Sequence, residues 1–505
     1  YPLDDRGGNQ RDIVEAAAAT EASIDAGVPV AVGTRECPQC AATTYHLQCP
    51  DCGDRTRPVT ACPHCGHPGR TDAGGQRVCP SCERRIDGVQ PQSVTVARDL
   101  RAALAAVDER PTSFEILKGV RGLSSAAKTP EPLEKGILRA KHDVSVFKDG
   151  TVRYDMTDLP VTAVRPSELE MTAAGFQALG YSHALDGEPL QFDDQLVALR
   201  TQDIILSDGA AAYLMRTADF VDDLLERFYG MAPFYEVDTR ADLVGELVFG
   251  MAPHTSAAVV GRIVGFTSAA VGYAHPFFHA AKRRNCDGDE DCVMLLMDGL
   301  LNFSRSYLPD RRGGSMDAPL VMSSRIDPTE IDDEAHNIDV MPRYPLSVYE
   351  ATRRCAPPDA VADAIALAGD AIAADDAVHF LHTHDTADIA AGPALSAYKT
   401  LGSMMDKTDA QLELARKLRA VDATDVAERV IEGHFLPDLI GNLRAFASQE
   451  SRCIDCERKY RRMPLSGSCR ECGGRVTLTV HQGSVRKYLE PAMHVAEAYG
   501  CRPYT

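Results

Sequence analysis

Twelve of the 16 cysteines in this 505-residue chain form six C-x-x-C pairs. The pairs are Cys37/Cys40, Cys49/Cys52, Cys62/Cys65, Cys79/Cys82, Cys453/Cys456 and Cys469/Cys472. Two such pairs can set four thiolates tetrahedrally around Zn²⁺ at ~2.3 Å, because each turn presents both sulfurs to one side. Neighbouring pairs couple across spacers of eight, thirteen and twelve residues. Three Cys₄ zinc-ribbon-like modules are therefore expected, with Pro or Gly at the turns in CPQC, CPDCG, CPHCG, CPSC and CRECGG. A disulfide framework fits poorly in a long chain without an export signal. A redox role for one pair is the other alternative. Four thiolates leave no position open for water, so the zinc reads as scaffold. Of the remaining cysteines, Cys355 and Cys501 read as packing residues.

A second cluster is acidic. Asp287, Asp289, Glu290 and Asp291 crowd into KRRNCDGDED, directly after Lys282, Arg283 and Arg284. Gly288 permits a tight turn, so Asp287 and Asp289 can face one point. Carboxylates that close repel unless a hard cation joins them, and Mg²⁺ takes one or two carboxylates plus substrate phosphates. Phosphoryl transfer needs such a site. Other readings stay open here. An EF-hand would want Gly at 292, where Cys292 stands, and polar ligands where VMLLM follows. A plain exposed acidic turn needs no ligand at all. Elsewhere, HFLHTHD (His379, His382, His384, Asp385) resembles a metallohydrolase H-x-H-x-D-H set, but Thr386 stands where the last His belongs. His275 and His279 have i, i+4 spacing without the H-E-x-x-H glutamate and read as packing or phosphate-facing groups.

These residues need elements to hold them. Helical periodicity covers 94–109 and SELEMTAAGFQALG, and SDGAAAYLMRTADFVDDLLERFYG opens on a Ser/Asp cap. Strands are expected around Val144–Phe147 and Val152–Asp155, with KDG as the hairpin turn. Residues 1–34 hold an Ala-rich helix, 240–345 mix strands and helices, and 360–445 are helix-rich. Hydrophobic content of 44% suits a sizeable core. No apolar stretch approaches a membrane span, so a cytoplasmic protein without a membrane partner is expected. Net charge is −20, and only eleven of the 53 cations are Lys, a composition that suits a high-salt cytoplasm. Cations nevertheless gather at Lys118, Arg121, Lys128, Lys135, Arg139 and Lys141, at Lys282–Arg284, and between Arg452 and Lys487. Such islands read either as solvated ion-paired faces or as phosphate-contacting patches.

Residues 252–321, with HPFFHAAKRRNCDGDEDCVMLLMDGLLNF at their centre, closely resemble the large catalytic subunit of archaeal family D DNA polymerases. So do KGVRGLSSAAKTPEPLEKGILRAKHDVSVFKDGTVRYD, YPLDDRGGNQRDI and HFLPDLIGNLRAFASQESRCIDCERKYRRMPLSGSCRECGG. The composition looks haloarchaeal. The resemblance implies a mixed α+β, multidomain chain. Its catalytic core would be a double-psi β-barrel of RNA-polymerase-like type, with three Cys₄ modules and helical accessory regions. It places the end of a first catalytic-barrel region at 1–34 and two zinc modules at 35–88. A mixed region with a basic DNA-facing loop follows at 89–235, then the barrel carrying the Asp-Gly-Asp loop at 236–345. A helical region at 346–445 leads to a zinc module with a small-subunit contact at 446–505. Asp287 and Asp289, with Asn285 beside them, would hold two Mg²⁺ ions for adding deoxynucleotides to a primer 3′-OH; three structural Zn²⁺ ions would brace the chain. Implied partners are primer–template DNA, dNTPs, a small exonuclease-bearing subunit, a sliding clamp and primase. The competing function is a non-catalytic zinc-ribbon nucleic-acid scaffold. Family subunits are longer. The start without Met and the end at CRPYT therefore read as a piece lacking a first-barrel lysine motif and a clamp-binding tail, and such a piece can be inactive alone. The Asn285–Cys286 junction is a place where relatives can carry inteins.

Overall fold

The computed structural model describes the chain except residues 4–5, 9, 21–26, 60, 63, 72–76, 85, 87–88, 121–129, 286–287, 309–315, 382–385, 396–399, 420, 455–457 and 502–505. It divides into two compact units, Tyr1–Ala394 and Leu395–Thr505. No helix among the described residues is long and apolar enough to cross a membrane.

In the first unit, helix α1 (Leu133–Lys141) precedes a barrel of six strands: β1 (Tyr154–Pro160), β2 (Asp203–Ser207), β3 (Leu247–Met251), β4 (Ala257–Thr267), β5 (Val271–Ala274) and β6 (Glu290–Leu295). The strand order is β2-β5-β1-β6-β3-β4, and β4 pairs back onto β2, which closes the sheet. The β2–β4 and β5–β1 pairs are parallel and the other four antiparallel. A short strand β7 (Val321–Ser323) adds to β4. Successive strand side chains point to opposite faces. Val248, Val259, Ile263, Val293 and Leu295 accordingly enter one core, whereas Phe249, Met251, Ala258, Cys292 and Met294 enter another. Both faces are covered, which is why β4 reads AAVVGRIVGFT without a polar alternation. Its one cation, Arg262, forks onto both oxygens of Asp203 at 2.9 and 2.6 Å across the closing β2–β4 seam.

Helix α2 (Asp208–Asp223) starts where Ser207 accepts the Ala210 N–H. Its first turns (Ala210, Ala211, Leu214, Ala218) pack on the barrel. Phe220 and Val221 belong to a separate core with α1, the helix Val96–Ala106 and the strand pair Val28–Gly33/Val89–Val94. The segment SELEMTAAGFQALG is two short pieces rather than the one helix its periodicity predicts. A 3₁₀ turn spans Pro166–Leu169, Glu170 turns left-handed at φ +53°, and Thr172 caps a new helix, Ala173–Ala178. The KDG turn forms with a single Val146–Val152 bridge, and the continuous strand starts only at Tyr154.

The second unit packs the helices Met404–Lys417, Ala423–Val430, Leu436–Ser448 and Gln482–Ala498 around Leu412, Ala427, Phe435, Val495 and Cys501. The third Cys module inserts a three-stranded sheet, with Ser451–Cys453 central, before the last helix. Cys501 packs in this core as its type suggests; Cys355 instead is exposed, left-handed at the end of a helix.

Candidate active site

Helix α3 (Pro276–Ala281) follows β5, and its side chains reach the start of β6. His275 caps α3 by accepting the Phe277 N–H through Nδ1 (3.1 Å), and Pro276 takes the first helical position. The helix ends at Lys282; Arg283 turns left-handed at φ +62°, and the Arg284 N–H returns to His279 O at 3.0 Å. Gly288, at φ +89°, turns the chain again into β6. Loop 283–289 thus lies along β1, where the Asp158 N–H donates to Asp289 O at 2.9 Å.

Two glycines let α3 approach so closely. A Cβ on Gly250 would stand 2.9 Å from Phe278 Cζ and 3.1 Å from Lys282 Cδ; one on Gly261 would stand 3.2 Å from the same ring. Phe278 therefore lies against the bare backbones of β3 and β4, and Lys282 is carried inward with it.

Four charged groups meet beneath the loop. Lys282 ion-pairs with Asp291 on β6, and both side chains are almost fully buried. His279 Nδ1 lies 3.0 Å from Asp158 Oδ2 and 4.0 Å from Asp291 Oδ2, while its Nε2 faces Leu159 O at 3.1 Å. A carbonyl can only accept, so Nε2 carries a proton. The other nitrogen faces carboxylates, so the ring is held as imidazolium. Burial pushes the Asp291 carboxyl up, against the pull of Lys282. In Asp158 burial acts the same way, but the His279 contact and charge outweigh it and hold that carboxyl below its ordinary value. Two cations and two carboxylates close a neutral quartet.

Above it the groups turn outward. Asp289 is partly exposed, with Arg284 Nη1 3.4 Å away. Asn285 and Arg283 are exposed. Asp287 and Cys286 lie outside the described residues, so Asp289 is the one member of the expected metal-binding pair whose position is described. Asp158, His279 and Asp291 do bring ligand atoms within 4.8 Å of one another, but Lys282 already supplies the countercharge there.

The basic set separates in the fold. Lys118 is exposed, and Arg121 and Lys128 lie outside the described residues. Lys135 and Arg139 are buried on α1: Lys135 Nζ donates to Asn302 Oδ1 (2.8 Å), and Arg139 forks onto Glu131 and reaches Gly150 O. Lys141 pairs with Asp223 (2.6 Å) and Glu109 (3.0 Å). Expected to face phosphate, these three and Lys282 instead meet partners inside the protein, because the helices carrying them pack with their charged side inward. Asp158 and Asp298 are the groups that the pattern reading missed. Both are buried carboxylates; Asp298 lies on α4 (Leu296–Asn302), and burial pushes it up to about 6. The one signal in the sequence is an Asp inside an otherwise apolar run.

The cysteine modules are built from one repeated turn. Cys37, Cys49, Cys62, Cys79 and Cys469 each accept at C=O from the residue four ahead and donate from N–H to the carbonyl five ahead, at 2.8–3.0 Å. Sulfurs stand 3.3–3.9 Å apart in the first two modules, and a tetrahedron of Zn–S bonds has edges of about 3.8 Å. These two sets and the trio Cys453, Cys469 and Cys472 could each hold a metal ion; Cys456 lies outside the described residues. So do His382, His384 and Asp385, while His379 is exposed. Burial raises the Cys292 thiol to about 12, as expected of a packing group.

Residues 110–407 match the family described as DNA polymerase II large subunit DP2, catalytic domain, and residues 1–70 match the central domain of the same subunit. Along its whole length the chain is 64% identical to the DNA polymerase II large subunit of Natronomonas pharaonis, covering 42% of that protein. It is 47% identical to that of Halobacterium salinarum, covering 51%, and 48% identical to that of Pyrococcus furiosus, covering 40%. The chain thus spans about half, or less, of the length of these relatives. The Halobacterium match extends over 703 positions, so that relative holds extra residues within the matched span. The chain belongs to the DNA polymerase II large subunit family.

Proposed function

We propose that this chain carries the catalytic centre of a template-directed DNA polymerase, adding deoxynucleotides to a primer 3′-OH. The observation that carries the reading is the Asp287–Gly288–Asp289 turn, held at the rim of a closed six-stranded barrel. The barrel is inferred to be of the double-psi type, which its parallel β2–β4 and β1–β5 pairs among antiparallel ones support. Asp287 and Asp289 are the residues that would hold two Mg²⁺ ions, with Asn285 beside them. When bound, such ions lower the proton affinity of an attacking hydroxyl and offset charge on the leaving pyrophosphate. The protein's own groups bind and orient. Arg283 and Lys118 are exposed to phosphate, with Arg121 and Lys128 assigned from sequence. Arg284 steadies Asp289 from the side. Lys135, Arg139, Lys141 and Lys282 are left out of the phosphate-binding set, because their charges are matched internally. Three Zn²⁺ ions are proposed in the cysteine modules, as structural ions. The name borne by the relatives, "large subunit", supports a heterodimer with a small subunit. The exonuclease on that subunit, the clamp, the primase and a cytoplasmic location rest on the resemblance.

Primer extension by the large subunit reconstituted with its small subunit tests the reading. Asp289→Asn and Asp287→Asn should each lower dNTP incorporation by about 10²–10³-fold or more, and NTPs should be poor substrates. Extension that survives both substitutions would leave a zinc-braced nucleic-acid scaffold as the function.

A further inference from the structure

We infer that the buried Lys282–Asp291 and His279–Asp158 pairs act as a clamp that fixes loop 283–289, making Lys282 a positioning residue for the catalytic aspartates. The inference rests on the polymerase reading above. Its basis is geometric. Loop 283–289 leaves α3 at Lys282 and joins β6 at Glu290, and Asp291 is the first fully buried residue of β6. The Lys282–Asp291 pair therefore ties the two ends of the loop together below its tip. The His279–Asp158 pair ties the same helix to β1, the strand whose Asp158 N–H holds Asp289 O. Arg284 adds bonds on the outer side, to Glu290 O at 3.0 Å and to Asp289. Beyond the imidazole, no described donor hydrogen-bonds either oxygen of Asp158. The four charges therefore depend on one another, and removing one leaves its neighbour buried without a countercharge. A loop that must place two carboxylates within about 0.5 Å needs such support, since geometry lost there acts directly on rate.

Lys282 is also a cation next to the proposed active centre, and a direct phosphate contact would be the ordinary assumption. Its burial and its packing against Gly250 and the Phe278 ring, 4.9 Å from Nζ to the centroid, turn it away from solvent.

The test uses the heterodimer with Lys282→Met, Lys282→Arg, the charge-free pair Lys282→Met/Asp291→Leu, and Asp289→Asn as reference. The readouts are kcat and KM for dNTP, and amide hydrogen exchange without Mg²⁺ or substrate. Lys282→Met should lower kcat by about 10- to 100-fold, with KM for dNTP changed by less than about threefold. Exchange should quicken at 283–289 while β3 and β4 stay protected. Lys282→Arg and the charge-free pair should each recover at least about tenfold of the lost kcat, because neither leaves a buried charge alone. The inference is overturned if Lys282→Met raises KM with kcat unchanged, which marks a phosphate contact. It is also overturned if exchange rises throughout the barrel, which marks general stability, or if neither rate nor loop exchange moves. An active Asp289→Asn enzyme would sink the polymerase reading instead; an inactive one beside a normal Lys282→Met enzyme would sink only the clamp.

Discussion

The cysteine turns and the carboxylate loop both gather ligand-type side chains, yet they are shaped by different forces. Each cysteine turn is set within about six residues: two backbone hydrogen bonds and a left-handed residue such as Gly53, Gly66 or Gly473 bring the sulfurs to one side. The carboxylate loop has Gly288 as its local device, and the rest of its geometry comes from afar. Asp158 stands on a strand more than a hundred residues upstream, and Gly250 makes the space that Lys282 fills. Spacing alone therefore identifies a thiolate site, whereas a carboxylate site is completed by packing.

The sharpest way to break this contrast is to remove metal. Purified without chelator, the chain should carry about three zinc ions, and a structural ion contributes on the order of 10 kcal/mol to the fold of its own module. Cys49→Ser should lose one ion and the amide protection around Cys37–Pro58, with the barrel strands still protected. Absence of zinc from the unmodified protein would refute the reading of the cysteines.

Next in size is the buried charge on α1. Arg139→Met leaves Glu131 without its partner and removes a cation 5.2 Å from the Phe220 ring. A loss of about 3–5 kcal/mol in urea unfolding is expected, without a change in zinc content. A surface-like loss below about 1 kcal/mol would return Arg139 to the DNA-facing set.

Overpacking comes third. Gly250→Ala should cost about 1–3 kcal/mol, since the methyl would press on Phe278 and Lys282. If Lys282 positions the loop, kcat should fall further than this modest destabilisation explains.

The smallest effect is a pH dependence. Burial raises Asp298 from 3.8 to about 6, so the folded state holds its proton where the unfolded chain has released it. The Asp298 contribution is therefore full below about pH 4 and is lost as pH rises through about 6. Asp298→Asn should flatten that part of the thermal-stability profile, and an unchanged slope would assign the titration to another group.

Much of the local structure was legible. The capped helix after Ser207 and the helix Val96–Ala106 follow from periodicity and end signals. The acidic loop was found from its composition, and Arg262 stood out as a cation inside an apolar strand. The split at Glu170 was not legible, because a periodic apolar pattern does not reveal one left-handed residue. Nor were the inward-facing Lys135 and Arg139. A helix carrying charge reads as solvent-facing until acceptors from distant residues such as Asn302 and Gly150 are brought against it.

The sequence by itself determined the thiolate sites, the acidic turn and the strand-forming runs, because those depend on neighbours within a few residues. Only the tertiary structure decided that β2 and β4 close a barrel, that Asp158 joins His279, and that Lys282 points into the protein. Each depends on residues far apart in the chain meeting in a space where every charge must find a countercharge.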